Sequence, residues 1–203
     1  MIINPENLSS ADCHRVITAA VAPRPIAFVS TISTDGIYNC APYSFFNALV
    51  SQPMIIGFST VRKRNGEKKD TLVNIEETQQ FVVNIVVEGL SEAMNLSSKG
   101  YPITVDEFEE TGLTPVPCDI VSAPRIKESP VSLECRCRQI IEFGIMPRIT
   151  SFIIGDVLLI HVDDNYVRDG AIDYSRLDAV GRLGGNAYCI VRDIFEMDRP
   201  RED

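Results

Sequence analysis

The sequence from Arg24 to Thr60 decides the fold of this 203-residue chain; it contains Arg24-Pro-Ile-Ala-Phe-Val-Ser-Thr, Asp35-Gly36, Asn39-Cys-Ala-Pro-Tyr-Ser-Phe-Phe-Asn and Met54-Ile-Ile-Gly-Phe-Ser-Thr. Residues 27–32 are apolar or β-branched, which is typical of a strand. Asp35-Gly36 predicts a hairpin turn, with the return strand starting at Ile37. Residues 54–60 predict a third strand. Between the last two strands, Tyr43 to Asn47 is predicted to form a loop whose hydroxyls, amide and aromatic rings suit a pocket for a flat polar ligand.

Hydrophobic spacing and turn residues predict the other elements. Ser9 and Asp12 resemble a capping pair for a helix over residues 9–21, which Ala22-Pro23-Arg24-Pro25 ends. Two further helices are expected, from Asp70 or Thr71 to Glu77 and from Leu90 to Ser98. Further strands are expected from Phe81 to Val87, from Val131 to Phe143, from Ile149 to Val162 and near Tyr188 to Arg192, with Gly144 and Pro147 at the turn between the two long strands. A loop region from Lys99 to Pro130 and an irregular segment over 166–180 complete the expectations. Six or more strands with few short helices indicate a mainly β protein, an antiparallel barrel.

Composition predicts one soluble domain over residues 1–203, with a leading helix in 1–22 and a polar tail over 193–203. Hydrophobic residues make up 45% of the chain and charged residues 23%, as in ordinary globular proteins. The formal charge of −9 argues against nucleic acid or an anionic membrane as a partner. No apolar run is long enough to span a bilayer, and the first residues lack the pattern of a signal peptide. We therefore expect a cytoplasmic protein.

The six cysteines and two histidines do not predict a metal site. No Cys-x-x-Cys pair occurs, so the usual ligand spacing of structural zinc is missing. Cys135 and Cys137 share one face of a predicted strand. Reduced cysteines packed as small apolar side chains are favoured over disulfide or metal roles.

Several motifs give the chain a resemblance to a known family. Arg24-Pro-Ile-Ala-Phe-Val-Ser-Thr, Asn39-x-Ala-Pro-Tyr-Ser-Phe-Phe-Asn and Lys69-Asp-Thr resemble the flavin reductase-like family, which uses the FMN-binding split barrel and includes the flavoredoxins. The likeness continues, in order, through Glu107-Phe108, Gly112-Leu113-Thr114, Leu133-Glu134-Cys135, Ile154-Gly155-Asp156-Val157 and Gly181-Arg182-Leu183-Gly184-Gly185. It therefore covers most of the chain, and eight ordered motifs are far more specific than one.

A basic loop predicts a phosphate site. It contains five cations before the predicted helix at Asp70-Thr71, namely Arg62, Lys63, Arg64, Lys68 and Lys69. The free amides and dipole of a helix N-terminus favour an anion, which Lys69 and Thr71 would also bind. Ser59 and Thr60, which end the preceding strand, are further candidates. A solvated basic loop is the alternative from the residues alone, and the resemblance at Lys69-Asp70-Thr71 favours phosphate, with Lys69 as the preferred ligand.

The resemblance also implies residues that contact the ring and ribityl chain of FMN. They are Ser30, Thr31, Tyr43, Ser44, Phe45, Phe46 and Asn47, among which Ser44 and Asn47 are the preferred side chains. At least one aromatic ring of this segment is expected in the core instead. Cys40 lies within the motif, and no redox role is assigned to it.

Two residues are candidates for a catalytic role. His161, near the end of a long strand, could lie near the flavin and affect nicotinamide binding or proton delivery, although a structural hydrogen bond is the more common role of such a histidine. Arg182, in the glycine-rich segment, offers a guanidinium to a carboxylate, phosphate or flavin carbonyl, and a flexible tail loop is the alternative.

The resemblance implies an FMN-containing homodimer that uses NADH or NADPH and passes hydride to flavin N5. No Gly-x-Gly-x-x-Gly or Gly-Lys-Ser/Thr sequence occurs, so nicotinamide would bind without a Rossmann unit. Two alternatives stay open. One is a flavoredoxin-type electron-transfer protein with tightly bound FMN and a protein partner, and the other is a non-catalytic flavin-binding barrel.

Overall fold

The computed structural model describes residues 1–63, 65–145 and 149–200, which form a mainly β structure with a few helices. The strands are β1 (Arg24–Pro25), β2 (Ala27–Ile32), β3 (Tyr38–Tyr43), β4 (Phe46–Ser51), β5 (Met54–Val61), β6 (Gln80–Ile85), β7 (Pro115–Val116), β8 (Arg125–Ile126), β9 (Val131–Phe143), β10 (Thr150–Val162), β11 (Val167–Arg168), β12 (Ala171–Ile172), β13 (Val180–Arg182) and β14 (Tyr188–Ile190). The α-helices are α1 (Ser10–Ala20), α2 (Asp70–Thr78), α3 (Ser91–Leu96) and α4 (Glu107–Thr111). Short 3-10 helices span Pro5–Asn7, Glu88–Leu90, Asp164–Tyr166 and Tyr174–Arg176.

A seven-stranded antiparallel sheet organises the molecule. Its order is β3-β2-β6-β9-β10-β5-β4, and a small sheet of β1, β13 and β14 lies beside it. The antiparallel mainly β architecture expected from the sequence is therefore confirmed. The end strands β3 and β4 are not hydrogen-bonded to each other in the part of the chain that the structure describes, so the expected barrel is not closed there.

Aromatic rings fill the core beneath this sheet. Phe58 packs edge-on against Phe81 with ring centroids 5.6 Å apart, and Tyr43 lies 5.0 Å from Phe58. A Cβ on Gly155 would lie 2.4 Å from Phe81, so this position of the Ile154-Gly155-Asp156 motif leaves room for the ring. Packing against Phe81 therefore accounts for the glycine in this motif.

Local signals in the sequence predicted most elements correctly. Ser9 caps α1, accepting a hydrogen bond from the Asp12 amide at 3.1 Å. Gly36 takes the positive φ of 83° that the expected turn requires. The two long strands appear as β9 and β10, while Pro147, expected at their turn, lies outside the described residues. The segment over 166–180, expected to be irregular, contains the 3-10 helix Tyr174–Arg176 and the short pair of β11 and β12.

Two expectations about loops were wrong. Only Ser44 and Phe45 separate β3 from β4, and Phe46–Ser51 is a strand paired with β5. The side chains of this strand are mostly exposed. Its sequence therefore lacks the alternation of apolar and polar residues that marks a half-buried strand. The region from Lys99 to Pro130 contains α4, which Asp106 caps by accepting from the Phe108 amide at 2.8 Å. A five-residue helix is too short for a periodic signal.

The helices of the described residues are short. None is long and apolar enough to cross a membrane.

Candidate functional site

A cavity of about 560 Å³ opens where the basic segment after β5 meets β3. Its walls come from β3, the basic segment, the first turn of α2, residues 97–101 and the start of α4. The predicted phosphate residues Lys69, Asp70 and Thr71 line this cavity together with Tyr43. The structure therefore brings the basic segment and part of the opening motif to one place.

Three of the cations in the basic segment have carboxylate partners. Lys63 Nζ lies 2.7 Å from Asp70 Oδ1, and Lys68 Nζ lies 2.7 and 2.6 Å from the two oxygens of Glu76. Arg62 pairs with Glu142 on β9. Arg64 lies outside the described residues. Arg62 and Lys63 line the cavity despite these pairings, so they add positive charge to it.

Lys69 differs from these cations because it lies at the N-cap of α2 and forms no carboxylate hydrogen bond among the described residues. Its Nζ lies 5.6 Å from the centroid of the Tyr43 ring, a cation–π distance. Burial lowers the pKa of Lys69, while Glu107 and Asp70 nearby act to raise it. The Leu72 amide in the first turn donates to Lys69 O at 2.9 Å, while the Asp70 and Thr71 amides have no acceptor among the described residues. This end of the cavity therefore combines a cation, two free donors and a helix dipole.

Thr71 points its hydroxyl into the protein. Its Oγ1 donates to Asn39 Oδ1 at 2.7 Å, and the residue is only 1% exposed. Thr31 belongs to the same network, since Thr31 Oγ1 lies 3.3 Å from Asn39 Oδ1 and accepts from Asn74 Nδ2 at 3.0 Å. Both predicted threonines therefore hold β2, β3 and α2 together, and Thr71 contributes to the cavity wall without a free hydroxyl proton.

Glu107 is a residue of this cavity that sequence reasoning did not place in the site. Its Oε2 accepts from Asn39 Nδ2 and from the Cys40 amide, both at 2.8 Å. Burial raises the pKa of Glu107 to about 7, with Asp70 adding to the rise while the Cys40 amide and Lys69 oppose it. The motif Glu107-Phe108 was the available signal, but it gave no indication that this carboxyl reaches β3.

Tyr43 lies under the cavity with its phenol buried. Burial raises the pKa of Tyr43 to about 12, although the hydroxyls of Thr71 and Thr60 lower it in part. Thr60, on β5, is 2% exposed. Ser59, next to it, receives its backbone contact from the aromatic segment: its amide donates to Phe45 O at 2.9 Å. Neither of these two β5 residues lines the cavity.

The other residues of the aromatic segment line a second cavity. Ser44, Phe45, Phe46 and Asn47 face a space of about 490 Å³ beside the end of α1 and residues 23–25. The Phe45 ring stacks on His14 at 6.3 Å and lies 5.7 Å from the Arg24 guanidinium. The structure therefore divides the predicted site between two cavities, with Tyr43 in the first.

Ser30 is fully buried on β2. Its Oγ donates to Pro124 O at 2.6 Å and accepts from Asn84 Nδ2 at 3.0 Å. These bonds attach the loop before β8 to the sheet. Any contact of Ser30 with a flavin stays a prediction.

His161 belongs to a separate cluster on β9 and β10. Its Nε2 lies 2.5 Å from Glu134 Oε1 and 3.6 Å from Asp119 Oδ2. Burial alone would raise the pKa of Glu134, but His161 and the amides of residues 119–121 outweigh it and lower the pKa to about 2. The ligand atoms of these three residues lie within 4.8 Å of one another, a spacing that a metal ion could bridge. The hydrogen bonds identify the cluster as a clamp that holds residues 119–121 against β9.

Arg182 is held by local contacts, and Cys40 and Cys135 are buried in the core. The Arg182 guanidinium lies 4.3 Å from the Tyr188 ring centroid, bonds the Tyr188 hydroxyl and donates to Gly185 O at 2.5 Å. Burial raises the pKa of Cys40 and of Cys135 far above the ordinary thiol value. Neither thiol is therefore set up as a thiolate. Catalytic roles for Arg182 and His161 stay predictions.

Comparisons with known proteins agree with the motifs. The model of the flavin reductase like domain matches residues 20–177. An uncharacterised protein of Halalkalibacterium halodurans is 43% identical over 202 residues, which cover 98% of this chain and 97% of that protein.

Solved structures share the fold over most of the chain. Nitrilotriacetate monooxygenase component B from Bacillus cereus matches with a TM-score of 0.93 at 33% identity, over 97% of this chain and 98% of that one. The 2-nitrobenzoate 2-nitroreductase of Pseudomonas fluorescens matches with a TM-score of 0.89 at 30% identity, over 98% and 96%. Two flavoredoxins and a split-barrel protein from Shewanella frigidimarina have the same fold. The chain belongs to the family of the flavin reductase like domain.

Proposed function

We propose that this chain binds FMN in the 560 Å³ cavity and works as an NADH- or NADPH-dependent flavin oxidoreductase. The observation that carries the proposal is Lys69 at the N-cap of α2, facing a cavity with the aromatic ring of Tyr43 in its wall. A phosphate fits a cation beside free helix amides, and a flat ring system fits an aromatic wall. The volume lies in the range of ordinary cofactor sites.

The phosphate end of the ligand would lie at α2. Lys69 would make the charge-assisted contact, and the first amides of α2 would add neutral donors. Lys63 and Arg62 line the same cavity and raise the local positive potential, although each already holds a carboxylate. In an acidic chain of formal charge −9, such a concentration of cations favours a specific anion.

The remaining walls suit the rest of the cofactor. Ala41, Pro42 and Tyr43 give an apolar and aromatic surface, and Tyr101 faces the cavity from the segment after α3. When bound, FMN would supply the redox centre that takes hydride from the reduced nicotinamide. The chain's own task is then to bind and orient the cofactor, which requires no side-chain nucleophile.

We also propose a homodimer. Strand β4 pairs with β5 on one side and with no other strand in the described part of the chain. Leu49 and Val50 on this strand are each 44% exposed, as is Phe45 just before it. An open edge with apolar side chains is a surface that association covers. The second cavity, with Ser44 and Asn47, would then lie beside the subunit interface.

Anaerobic mixing of the FMN-loaded protein with NADH or NADPH tests the oxidoreductase. Loss of the flavin absorbance within the mixing experiment is the expected result. Steady oxidation of the nicotinamide with free FMN or a ferric chelate as acceptor would also exclude a non-catalytic flavin-binding barrel. If neither nicotinamide reduces the bound flavin, the reductase is rejected.

A second function is supported by the structural similarity to flavoredoxins. In that case FMN would stay bound and a protein partner would deliver or accept electrons. Reduction of the bound FMN by a protein donor, together with no reduction by NADH or NADPH, would favour the electron carrier. The similarity to a monooxygenase component likewise supports work with a partner protein.

A further inference from the structure

A fixed carboxylate lies in a cavity that is otherwise rich in cations. Glu107 lines the proposed flavin cavity from the first turn of α4 and is 5% exposed. Its Oε2 accepts hydrogen bonds from Asn39 Nδ2 and the Cys40 amide, both at 2.8 Å, so two contacts with β3 set the orientation of the carboxylate. Such a group is held rigidly enough to recognise a ligand.

The second carboxylate oxygen is available. No hydrogen bond reaches Glu107 Oε1 from the residues that the structure describes, whereas the other acidic residue of this cavity, Asp70, is paired with Lys63 at 2.7 Å. An ionised carboxylate only accepts hydrogen bonds and repels a phosphate. A negative group kept in an anion-binding cavity therefore points to a ligand that also carries hydrogen-bond donors.

The position of Lys69 near this carboxylate indicates which hydrogen-bond donors of a ligand would reach it. Glu107 and Lys69 line the same cavity and each alters the protonation equilibrium of the other. In FMN the phosphate ends a chain that carries three hydroxyl groups. A ligand with its phosphate at Lys69 would place that chain nearest to the carboxylate.

We propose that Glu107 Oε1 accepts hydrogen bonds from the hydroxyl groups of the ribityl chain and so makes the cavity selective for flavins that carry this chain. This role rests on the proposed function, since it requires flavin in this cavity. It differs from the phosphate contact because riboflavin, which lacks the phosphate, would also use it.

Comparison of riboflavin with lumiflavin, which lacks the hydroxylated chain, tests the role. Glu107→Gln keeps an oxygen for Asn39 and Cys40 but replaces the free acceptor with an amide donor. Since a hydrogen bond to a charged group is strong, we expect Glu107→Gln to weaken riboflavin about 10- to 100-fold at about pH 8.5, where Glu107 is ionised, and to leave lumiflavin nearly unchanged. Glu109→Gln, an exposed change on the same helix, is the matched control and should alter neither affinity.

The outcomes separate this role from the function on which it rests. Equal weakening of riboflavin and lumiflavin in Glu107→Gln would reduce Glu107 to a structural link between α4 and β3 and overturn the role. Failure of the wild-type protein to bind FMN at all would instead remove the proposed function. Quenching of flavin fluorescence measures all these affinities.

The pH dependence of the wild-type protein gives a second test that needs no variant. The titratable or charged groups that face Glu107 are Cys40, Tyr43, Lys69, Asp70 and Tyr101. Burial raises the pKa of Glu107 to about 7 and keeps the thiol and the two phenols protonated at this pH. Riboflavin avoids the phosphate group, whose own second pKa is about 6.

A ligand that donates to Glu107 binds its ionised form better. Riboflavin affinity should therefore rise between about pH 5.5 and about pH 8.5, while lumiflavin affinity stays level. Parallel behaviour of the two ligands across this range would overturn the role, even if Glu107→Gln does not fold.

Discussion

Lys69 Nζ lies 5.6 Å from the centroid of the Tyr43 ring, at the N-cap of α2 and in the wall of the 560 Å³ cavity. Its position follows from chain geometry, because β5 ends at Val61 and α2 begins at Asp70. The segment between them carries the cations to the end of the helix dipole. Lys69 is the member of this set whose charge is not already taken by a carboxylate in the described structure.

Replacement of Lys69 should therefore affect phosphate binding selectively. We expect Lys69→Ala to weaken FMN about 10- to 100-fold, the effect of losing one charge-assisted hydrogen bond, and to change riboflavin little. Lys68→Ala is the matched control, since Lys68 is the preceding residue but bonds Glu76. Fluorescence titration gives both affinities. Equal loss for FMN and riboflavin would show that Lys69 does not contact the phosphate.

His161 is expected to stabilise the fold through Glu134. His161→Ala removes the donor that lies 2.5 Å from a fully buried carboxylate, so unfolding in urea should become easier by about 1–3 kcal/mol. Reduction of bound flavin by nicotinamide should proceed at the wild-type rate once occupancy is matched. A slower reduction at equal occupancy would restore His161 as a catalytic residue.

Glu134 should make the protein sensitive to acid. Its pKa of about 2 lies below the ordinary value of 4.5, so its contribution is present above pH 4.5 and is lost as the pH falls towards 2. The wild-type protein should have a larger free energy of unfolding than Glu134→Gln at neutral pH. At about 1.4 kcal/mol per pKa unit, this difference should shrink by up to about 3 kcal/mol on acidification. Urea unfolding at neutral and acidic pH measures it. Glu196→Gln in the exposed tail is the control, and a difference independent of pH would contradict the assignment.

Glu107 should act with the opposite sign. Its pKa of about 7 lies above 4.5, so its contribution is favourable below pH 4.5 and is lost as the pH rises through 7. In the flavin-free protein, the free energy of unfolding of Glu107→Gln should rise relative to that of wild type by up to about 3 kcal/mol between acidic and alkaline pH. Thermal or urea unfolding across this range checks the trend. A relative loss of stability at high pH would contradict a raised pKa.

Local patterns were sufficient for the elements that position the site. The cap at Ser9, the turn at Gly36 and the helix after Lys69 depend on residues close in sequence, and all three lie where expected. Strand β4 was missed because its exposed side chains carry no burial pattern. Helix α4 was missed because five residues between prolines show no period.

The site itself was only partly predictable. The cluster of cations in the basic segment predicted Lys69. The contact between Glu107 and β3 could not be predicted in this way because it joins residues far apart in sequence. Likewise, nothing local indicates that Thr71 donates inward to Asn39 or that Ser44 and Asn47 line a different cavity from Tyr43. These facts depend on how α2 and α4 pack on the sheet.

Titration of the purified, flavin-free protein with FMN and riboflavin tests the central claim most directly. If the cavity at α2 holds a phosphorylated flavin, FMN should bind with a dissociation constant in the micromolar range or below, roughly −8 kcal/mol, and at least about tenfold more tightly than riboflavin. No quenching by FMN, or equal affinities for the two ligands, would contradict the account.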